Sequence, residues 1–410
     1  MVVYMLANKF KLVDRDKHTN NIKLAEYGTP YPKKPEDEEG KFIEKPCDYR
    51  NAFIIDRDRI LHCVSFRKML GKTQVFISEK NPMQRNRLTH TMEVWQISVS
   101  IARMLKANIH LTEAIAFGHD LGHTPFGHAG ESALNLLMQN DELEGFSHNE
   151  QSVRVVSLLE SYPNVKFIND YKAVKYGLNL TSYTIEGLFK HTSRFKDCKI
   201  EELLVEFGKD YGSIEAQIVS VSDEIAQCTH DLQDVWMANA ISKKEIDDIF
   251  SDFQNLLGDK PSLDKQTISA IIGILIENVS KESINKLNKK YTGDSGAHEF
   301  IIFSKEGNRL RESITKLIKE NAILGDEVNT MNSRGRHIIK ELYDMYKNDP
   351  YCLPKETKDS FSHELKKKLK DTEGYGKTEI SNKEDIRVFC DYISSLTDKQ
   401  AIDAFHSTFL

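Results

Sequence analysis

Apolar residues recur at steps of three and four along most of this chain. In residues 88–105, Leu88, Met92, Trp95, Val99, Ala102 and Leu105 fall on one stripe, which predicts an amphipathic helix. In "LTEAIAFGHDLGH", Thr112 stands at a capping position and Glu113 in the first turn, where a carboxylate meets the positive end of the helix dipole. Gly118 and Gly122 loosen the end of that helix. Residues 129–140 and 149–160 predict two more helices. The clearest pattern is 213–235, where Ile214, Ile218, Val221, Ile225, Cys228 and Leu232 form an apolar stripe. Helical periods continue through 240–347, and "IRVFCDYISSLTDKQAIDAFHSTF" predicts a final buried helix. The stretch "KTQVFIS" (72–78) has strand texture but is isolated. With no internal repeat and no run of alternating strands, the pattern predicts an all-α fold.

Polar stretches divide the chain. Residues 14–48, with "YPKKPEDEEGKF" among them, carry the proline, glycine and charge runs of an extended arm. From Tyr49 the texture becomes dense in apolar and basic residues. Residues 354–385 are lysine-rich and read as a surface excursion. The expected organisation is an N-terminal arm over 1–48, a core over 49–240 and a C-terminal helical region over 241–410.

Composition narrows the class. The 410 residues are 40% hydrophobic and 29% charged, enough apolar material for a large core. A net charge of −6 gives no support for binding a nucleic-acid backbone, and leaves room for a local basic pocket. The six cysteines are scattered without a CxxC, which argues against a zinc ribbon or a disulfide framework and for a reducing compartment. The N-terminal apolar stretch is too short and interrupted for a signal peptide, and no stretch approaches the roughly 20 apolar residues of a membrane span. A cytoplasmic location with no membrane partner is expected.

The candidate chemistry concentrates in "GHDLGHTPFGH" (118–128), which holds three of the chain's 14 histidines and one aspartate. Adjacent residues on a straight helix point about 100° apart. At a helix end loosened by glycine, His119 and Asp120 can converge on one centre. His90 and Asp223 both sit off the apolar stripes of their helices and are candidates to join them. Two imidazoles and two carboxylates suit Mn, Fe, Mg, Ni or Zn, with open positions left for water and substrate. Asp223, Gln227 and Asp231 follow at steps of four as a polar strip. Taken alone, the same residues also fit a helix-end cap and a solvated helix face.

Five blocks carry a resemblance. "RNRLTHTMEVWQISVSIA", "AIAFGHDLGHTPFGHAGESALN", "FSHNEQSVRVV", "TIEGLFKHTS" and "EAQIVSVSDEIAQCTHDLQD" resemble the HD-domain deoxynucleoside triphosphate triphosphohydrolases in order and spacing. "RDRILHCVSFRKMLGKTQVF" resembles that family's upstream block, and "CDYISSLTDKQA" is a weaker echo near the C-terminus. The resemblance implies an HD-domain helical fold with additional C-terminal helices. The core over 49–240 then becomes the catalytic one, and 241–410 completes the nucleotide pocket and the oligomer interfaces. It implies a divalent metal (Mn, Mg or Fe) on His90, His119, Asp120 and Asp223. His128 takes the place of the catalytic histidine, with Glu131 as its carboxylate partner one helical turn away. His123 takes a phosphate-contacting position, Arg87 a contact to base and phosphate, Asn149 a polar contact, and Lys190 a grip on the triphosphate. Asp231 takes the position that accepts from the sugar 3′-hydroxyl. His148 and His191 read as tuning polarity, and His62 and His230 as structural.

The implied reaction is hydrolysis of a dNTP, dGTP by default, to deoxynucleoside and inorganic triphosphate. A homo-oligomer, commonly a hexamer, and an allosteric nucleotide or single-stranded DNA are implied as partners. Two departures bear on substrate choice. Gln227 stands where the family has a tyrosine that packs on the sugar, and His191 stands where a tyrosine often follows the lysine. Selection of deoxyribose over ribose is the property they weaken. They keep open an HD phosphohydrolase acting on a ribonucleotide or an alarmone, and a nucleotide-responsive regulatory protein.

Overall fold

The computed structural model describes residues 12–14, 23–25, 29, 50–74, 85–161, 177–190, 198–200, 205–207, 211–238, 240–253, 256, 265–291, 293, 298–323, 326–371 and 379–409. The fold is all-α. Its helices are α1 (Ala52–His62), α2 (Val64–Lys68), α3 (Arg87–Leu105), α4 (Ile109–Gly118), α5 (Gly127–Asn140), α6 (His148–Arg154), α7 (Ser182–Lys190) and α8 (Ile214–Met237). There follow α9 (Lys243–Asp252), α10 (Lys265–Lys290), α11 (Lys305–Ile318), α12 (Asp326–Asn348), α13 (Lys355–Lys358), α14 (His363–Asp371), α15 (Lys383–Ser395) and α16 (Asp398–Phe409). A π-helical turn, Val155–Leu159, extends α6. Two antiparallel pairs of three-residue strands accompany them: Leu12–Asp14 with Lys23–Ala25, and Cys198–Ile200 with Val205–Phe207. Of "KTQVFIS", Thr73 forms one antiparallel bridge with Asn86, and 75–78 lie outside the described residues. So does most of the 1–48 arm.

Several helices differ in detail from the pattern reading. α4 starts at Ile109, capped by the Asn108 side chain, which accepts from the Leu111 amide at 3.3 Å. Thr112 is interior, and its hydroxyl donates to the Asn108 carbonyl at 2.9 Å. A side chain four residues inside a helix has that carbonyl within reach, which satisfies the hydroxyl without ending the helix. Of the stripe read on α3, Val99, Ala102 and Leu105 are buried, Leu88 and Trp95 are half-buried, and Met92 is 42% exposed. Thr91, Val94, Ile97, Ser98 and Ile101 are buried as well, so the covered face is wider than that stripe and turned away from Met92, and His90 falls on its buried side. Trp95 is at the edge, stacked on Phe117 with ring centroids 5.4 Å apart and its indole N–H donating to Glu113.

The C-terminal region also differs. Residues 354–385 are not a surface excursion: Phe361, Leu365, Leu369 and Ile380 join a buried core. The lysines of α14 mask Leu365 and Leu369, which share one face four residues apart. Residues 372–378 lie outside the described residues. The final stretch forms two helices, α15 and α16, rather than one. Thr397 and Gln400 make a reciprocal cap: the Thr397 amide donates to Gln400 Oε1 at 2.9 Å, and the Gln400 amide to Thr397 Oγ1 at 3.2 Å.

The chain forms two compact units. The first comprises 1–67, 88–119 and 152–324. In it α4 packs on α1, α7 and α8, and α8 packs on α10 and α11. α8 is buried almost all round, including Ser222, Thr229 and His230, which leaves Asp223, Gln227 and Asp231 as its half-buried polar strip. The second unit comprises 68–87, 120–151 and 325–410. In it α12 packs on α5, α15 and α16 around Phe126, Leu134, Ile339, Leu342, Tyr343, Phe389 and Ile393.

Candidate active site

In the first unit, His90 in the first turn of α3, His119 just past α4 and Asp223 on α8 come together. His90 Nε2 lies 2.9 Å from Asp223 Oδ1, and His119 Nε2 lies 3.9 Å from the same oxygen. The two imidazole centroids are 5.9 Å apart. Both histidines are buried and Asp223 is half-buried. His119 Nδ1 is 2.8 Å from the Ala116 carbonyl. A carbonyl only accepts, so Nδ1 carries the hydrogen and the Nε2 lone pair is turned toward Asp223. One ligand atom from each of the three lies within 4.8 Å of the others. Two imidazole nitrogens and a carboxylate oxygen at this spacing fit a divalent ion that keeps open positions.

Asp120, the next residue, belongs to the second unit and is not part of that three-donor group. Its Oδ2 accepts from Arg87 Nη1 at 2.8 Å, and its Oδ1 lies 3.1 Å from His123 Nε2. Arg87 is 2% exposed, so this is a buried ion pair, in which each charge depends on the other. His123 stacks on His148, with centroids 3.9 Å apart and planes at 14°. Burial holds His123 well below the usual imidazole range, and the neighbouring charges of Arg87 and His148 push the same way. His123 is therefore neutral at pH 7.

Glu131, on the first turns of α5, joins these rings. Its Oε1 accepts from the His148 amide at 3.0 Å and lies 2.9 Å from His148 Nδ1. Its Oε2 lies 3.6 Å from His128 Nδ1 and 3.8 Å from His123 Nδ1. Burial alone would raise this carboxyl. The nearby His128 ring and the hydrogen-bonded His148 outweigh it and hold the group well below the carboxylate range. The side chain of His128 is 68% exposed. An ionised carboxylate thus backs an imidazole that is open to solvent, the arrangement that fixes a tautomer and stabilises an imidazolium.

Local sequence builds this turn. Phe126 adopts a left-handed φ of +61° and Gly127 one of +57°. A Cβ added at Gly130 would meet the Pro125 carbonyl oxygen at 2.0 Å, so only glycine lets α5 begin this close to the turn. Lys72, which pattern reading passed over, is buried under the turn and donates to the carbonyls of His123 and, at 2.8 Å, of Ser394. Burial, then the charges of Arg87 and Lys68, push its ammonium down to about 7.

Of the remaining expected residues, Asn149 is fully buried, and Gln227 and Asp231 are half-buried on α8. The side chain of Lys190 and all of His191 lie outside the described residues. His148 was read as tuning polarity. Its stacking on His123 and its bond to Glu131 place it inside the cluster. No motif spacing signals it, because the contact crosses from α6 to α5.

A helical fold carrying a His–His–Asp group in one unit and an Arg–Asp–His cluster in the other fits a metal-dependent phosphohydrolase. Comparisons with known proteins agree. Residues 87–227 match the HD domain, and residues 301–407 match the phosphohydrolase-associated domain. A deoxyguanosinetriphosphate triphosphohydrolase-like protein of Geobacter metallireducens is 34% identical, over 90% of this chain and 91% of its own length. One of Rickettsia felis is 33% identical, over 89% and 93%. One of Caldanaerobacter subterraneus is 32% identical, over 93% and 92%. The chain belongs to the HD-domain deoxyguanosinetriphosphate triphosphohydrolase-like family. Among the described residues, no helix is long and apolar enough to cross a membrane.

Proposed function

We propose that this protein hydrolyses a deoxynucleoside triphosphate, dGTP by default, to deoxynucleoside and inorganic triphosphate. The observation that carries the reading is the Glu131 cluster: a half-buried, ionised carboxylate 3.6 Å from the ring of the solvent-open His128, with Arg87 and His123 close by. An exposed imidazole, a half-buried carboxylate and a buried guanidinium suit proton transfer beside a polyanion.

In this reading His90, His119, Asp120 and Asp223 hold the divalent ion (Mn, Mg or Fe). When bound, the ion supplies Lewis acidity at a phosphate oxygen. Water adds to the α-phosphorus and the bond to the 5′-oxygen breaks. The new oxygen stays on the triphosphate, and the nucleoside leaves with a protonated 5′-hydroxyl. His128, oriented by Glu131, gives that proton. Arg87 and Lys190 offset phosphate charge, the neutral His123 contacts phosphate as a hydrogen-bond donor, Asn149 adds a polar contact, and Asp231 accepts from the 3′-hydroxyl. Gln227 lines the sugar position and discriminates 2′-hydroxyl less sharply than an aromatic ring. For that reason a ribonucleotide or alarmone substrate is the second reading. Residues 49–240 serve as the catalytic core, and 241–410 add nucleotide contacts and oligomer interfaces. A homo-oligomer, hexameric in the family pattern, with an allosteric nucleotide or single-stranded DNA, completes the proposal. Among the described residues Cys63, Cys228, Cys352 and Cys390 form no disulfide, which suits the cytoplasm.

The test is incubation with each dNTP and NTP, singly and mixed, with Mn or Mg, and separation of products by chromatography. Deoxynucleoside plus intact triphosphate is the expected result. Release of pyrophosphate or orthophosphate overturns the triphosphohydrolase reading, and turnover of ribonucleotides alone selects the second reading.

A further inference from the structure

The C-terminal "CDYISSLTDKQA" has no part in the reaction just proposed, yet its residues meet the histidine turn. Asp398, the first residue of α16, divides its two oxygens. Oδ1 accepts from the Phe126 amide at 3.0 Å. Oδ2 accepts from the Thr73 amide at 3.1 Å and from the Thr73 hydroxyl. The helix itself is capped by Thr397 and Gln400, so the Asp398 carboxylate is not spent on ending α16. Four residues earlier, the Ser394 carbonyl shares the Lys72 ammonium with the His123 carbonyl. Residues 394–398 thus grip the segment 72–73 and the turn 123–126 together.

The grip falls where the backbone is strained. Phe126 holds a left-handed φ of +61° that a residue with a Cβ adopts only when its surroundings enforce it. Its ring is buried, and its Cβ lies so near α12 that a Cβ added at Gly335 would come within 2.8 Å of it. Two residues on is His128, and α5 begins between them without a side-chain cap. The Phe126 amide is the last backbone donor before that start, and Asp398 is its acceptor.

We propose that Asp398 is a positioning residue for His128: by fixing the Phe126 amide and Thr73 at once, it holds the turn that sets His128 against Glu131. Lys72 braces the other end of the same turn. The proposal rests on the reaction proposed above for its kinetic arm, and on the structure alone for its exchange arm.

The experiment compares wild type with Asp398→Ala, Asp398→Asn, Thr73→Val and Gln400→Ala in the full chain. Measurements are kcat, KM, bound metal by elemental analysis and amide hydrogen exchange over 123–131. Asp398→Ala is expected to lose kcat on the order of a hundredfold, the usual scale for a small misplacement of a reacting group. KM and bound metal stay within about twofold. Its amides at 123–131 exchange faster, Phe126 most of all. Asp398→Asn keeps one carbonyl acceptor and loses the other, so its kcat falls between the two. Thr73→Val loses only the hydroxyl and falls less. Gln400→Ala weakens the α16 cap without touching the turn, so stability drops while kcat and exchange at 123–131 stay as in wild type. The proposal is overturned if Asp398→Ala, folded by circular dichroism, keeps both kcat and Phe126 exchange. Equal losses in Gln400→Ala at the same stability overturn it too. If Asp398→Ala does not fold, the graded order of Asp398→Asn and Thr73→Val decides. If wild type itself hydrolyses no nucleotide, the reaction fails as a reading, and the exchange arm still decides the clamp.

Discussion

Glu131 is the residue on which the second-unit cluster turns. It touches His148 through both backbone and ring, and its other oxygen faces His128 and His123. Removing its charge leaves two imidazoles without their orienting acceptor. Glu131→Gln is therefore expected to lower kcat by about 10²–10⁴, the range of positioned acid–base catalysis, with bound metal unchanged. His128→Ala is expected to lose as much, and the double variant little more, because the two act as one unit. Additive losses in steady-state kinetics would refute a shared role. His148→Ala separates the contributions: its amide bond to Glu131 survives and only the ring contact goes.

At the scale of elements, the start of α7 is tied to α1 through a single carboxyl. Asp56 Oδ2 accepts from the Thr181 amide at 3.0 Å and from the hydroxyls of Thr181 and Thr184 at 2.7 Å each. Burial raises the Asp56 carboxyl to about 6, against the lowering by those three bonds and by Arg59. A raised carboxyl pKa means that the folded state holds a proton which the unfolded state releases between pH about 4 and 6. Its contribution is fully present below that window and is lost as pH rises through it. The ceiling is about 3 kcal/mol for a shift of this size. Asp56→Asn keeps a carbonyl acceptor and cannot titrate. The melting-temperature gap between wild type and Asp56→Asn is expected to move in favour of wild type as pH falls from 7 to 4.5. A gap that does not change with pH would remove Asp56 as its cause.

At the scale of the whole molecule, three of the four donors proposed for the ion, His90, His119 and Asp223, come from three elements of the first unit, α3, the end of α4 and α8. An ion that binds the folded donor set stabilises it by mass action. Removal of divalent ions by a chelator is expected to abolish turnover and lower the melting temperature. Readdition of Mn or Mg restores both. His90→Ala is expected to lose the stabilisation by metal, and because the imidazole is buried its metal-free form is also expected to melt a few degrees below wild type. A chelator-treated protein with an unchanged melting curve and full activity would exclude a resident ion.

The class of fold and the helix-rich order of elements were legible in the sequence, and of the four proposed donors the structure groups His90, His119 and Asp223 and sets Asp120 apart. The legible features follow from local causes: periodicity, capping chemistry, and a histidine-rich string whose glycines must bend. The sequence pattern misjudged Thr112, the breadth of the buried face of α3 and the lysine-rich segment 354–385, because packing partners rather than residue types decide which face is covered. Only the tertiary structure brought His148 to Glu131, paired Asp120 with Arg87, and set Lys72 and Asp398 under the histidine turn. Those contacts join residues 17 to 322 positions apart. No local pattern encodes such a pairing, which exists only once the cores of the elements have packed.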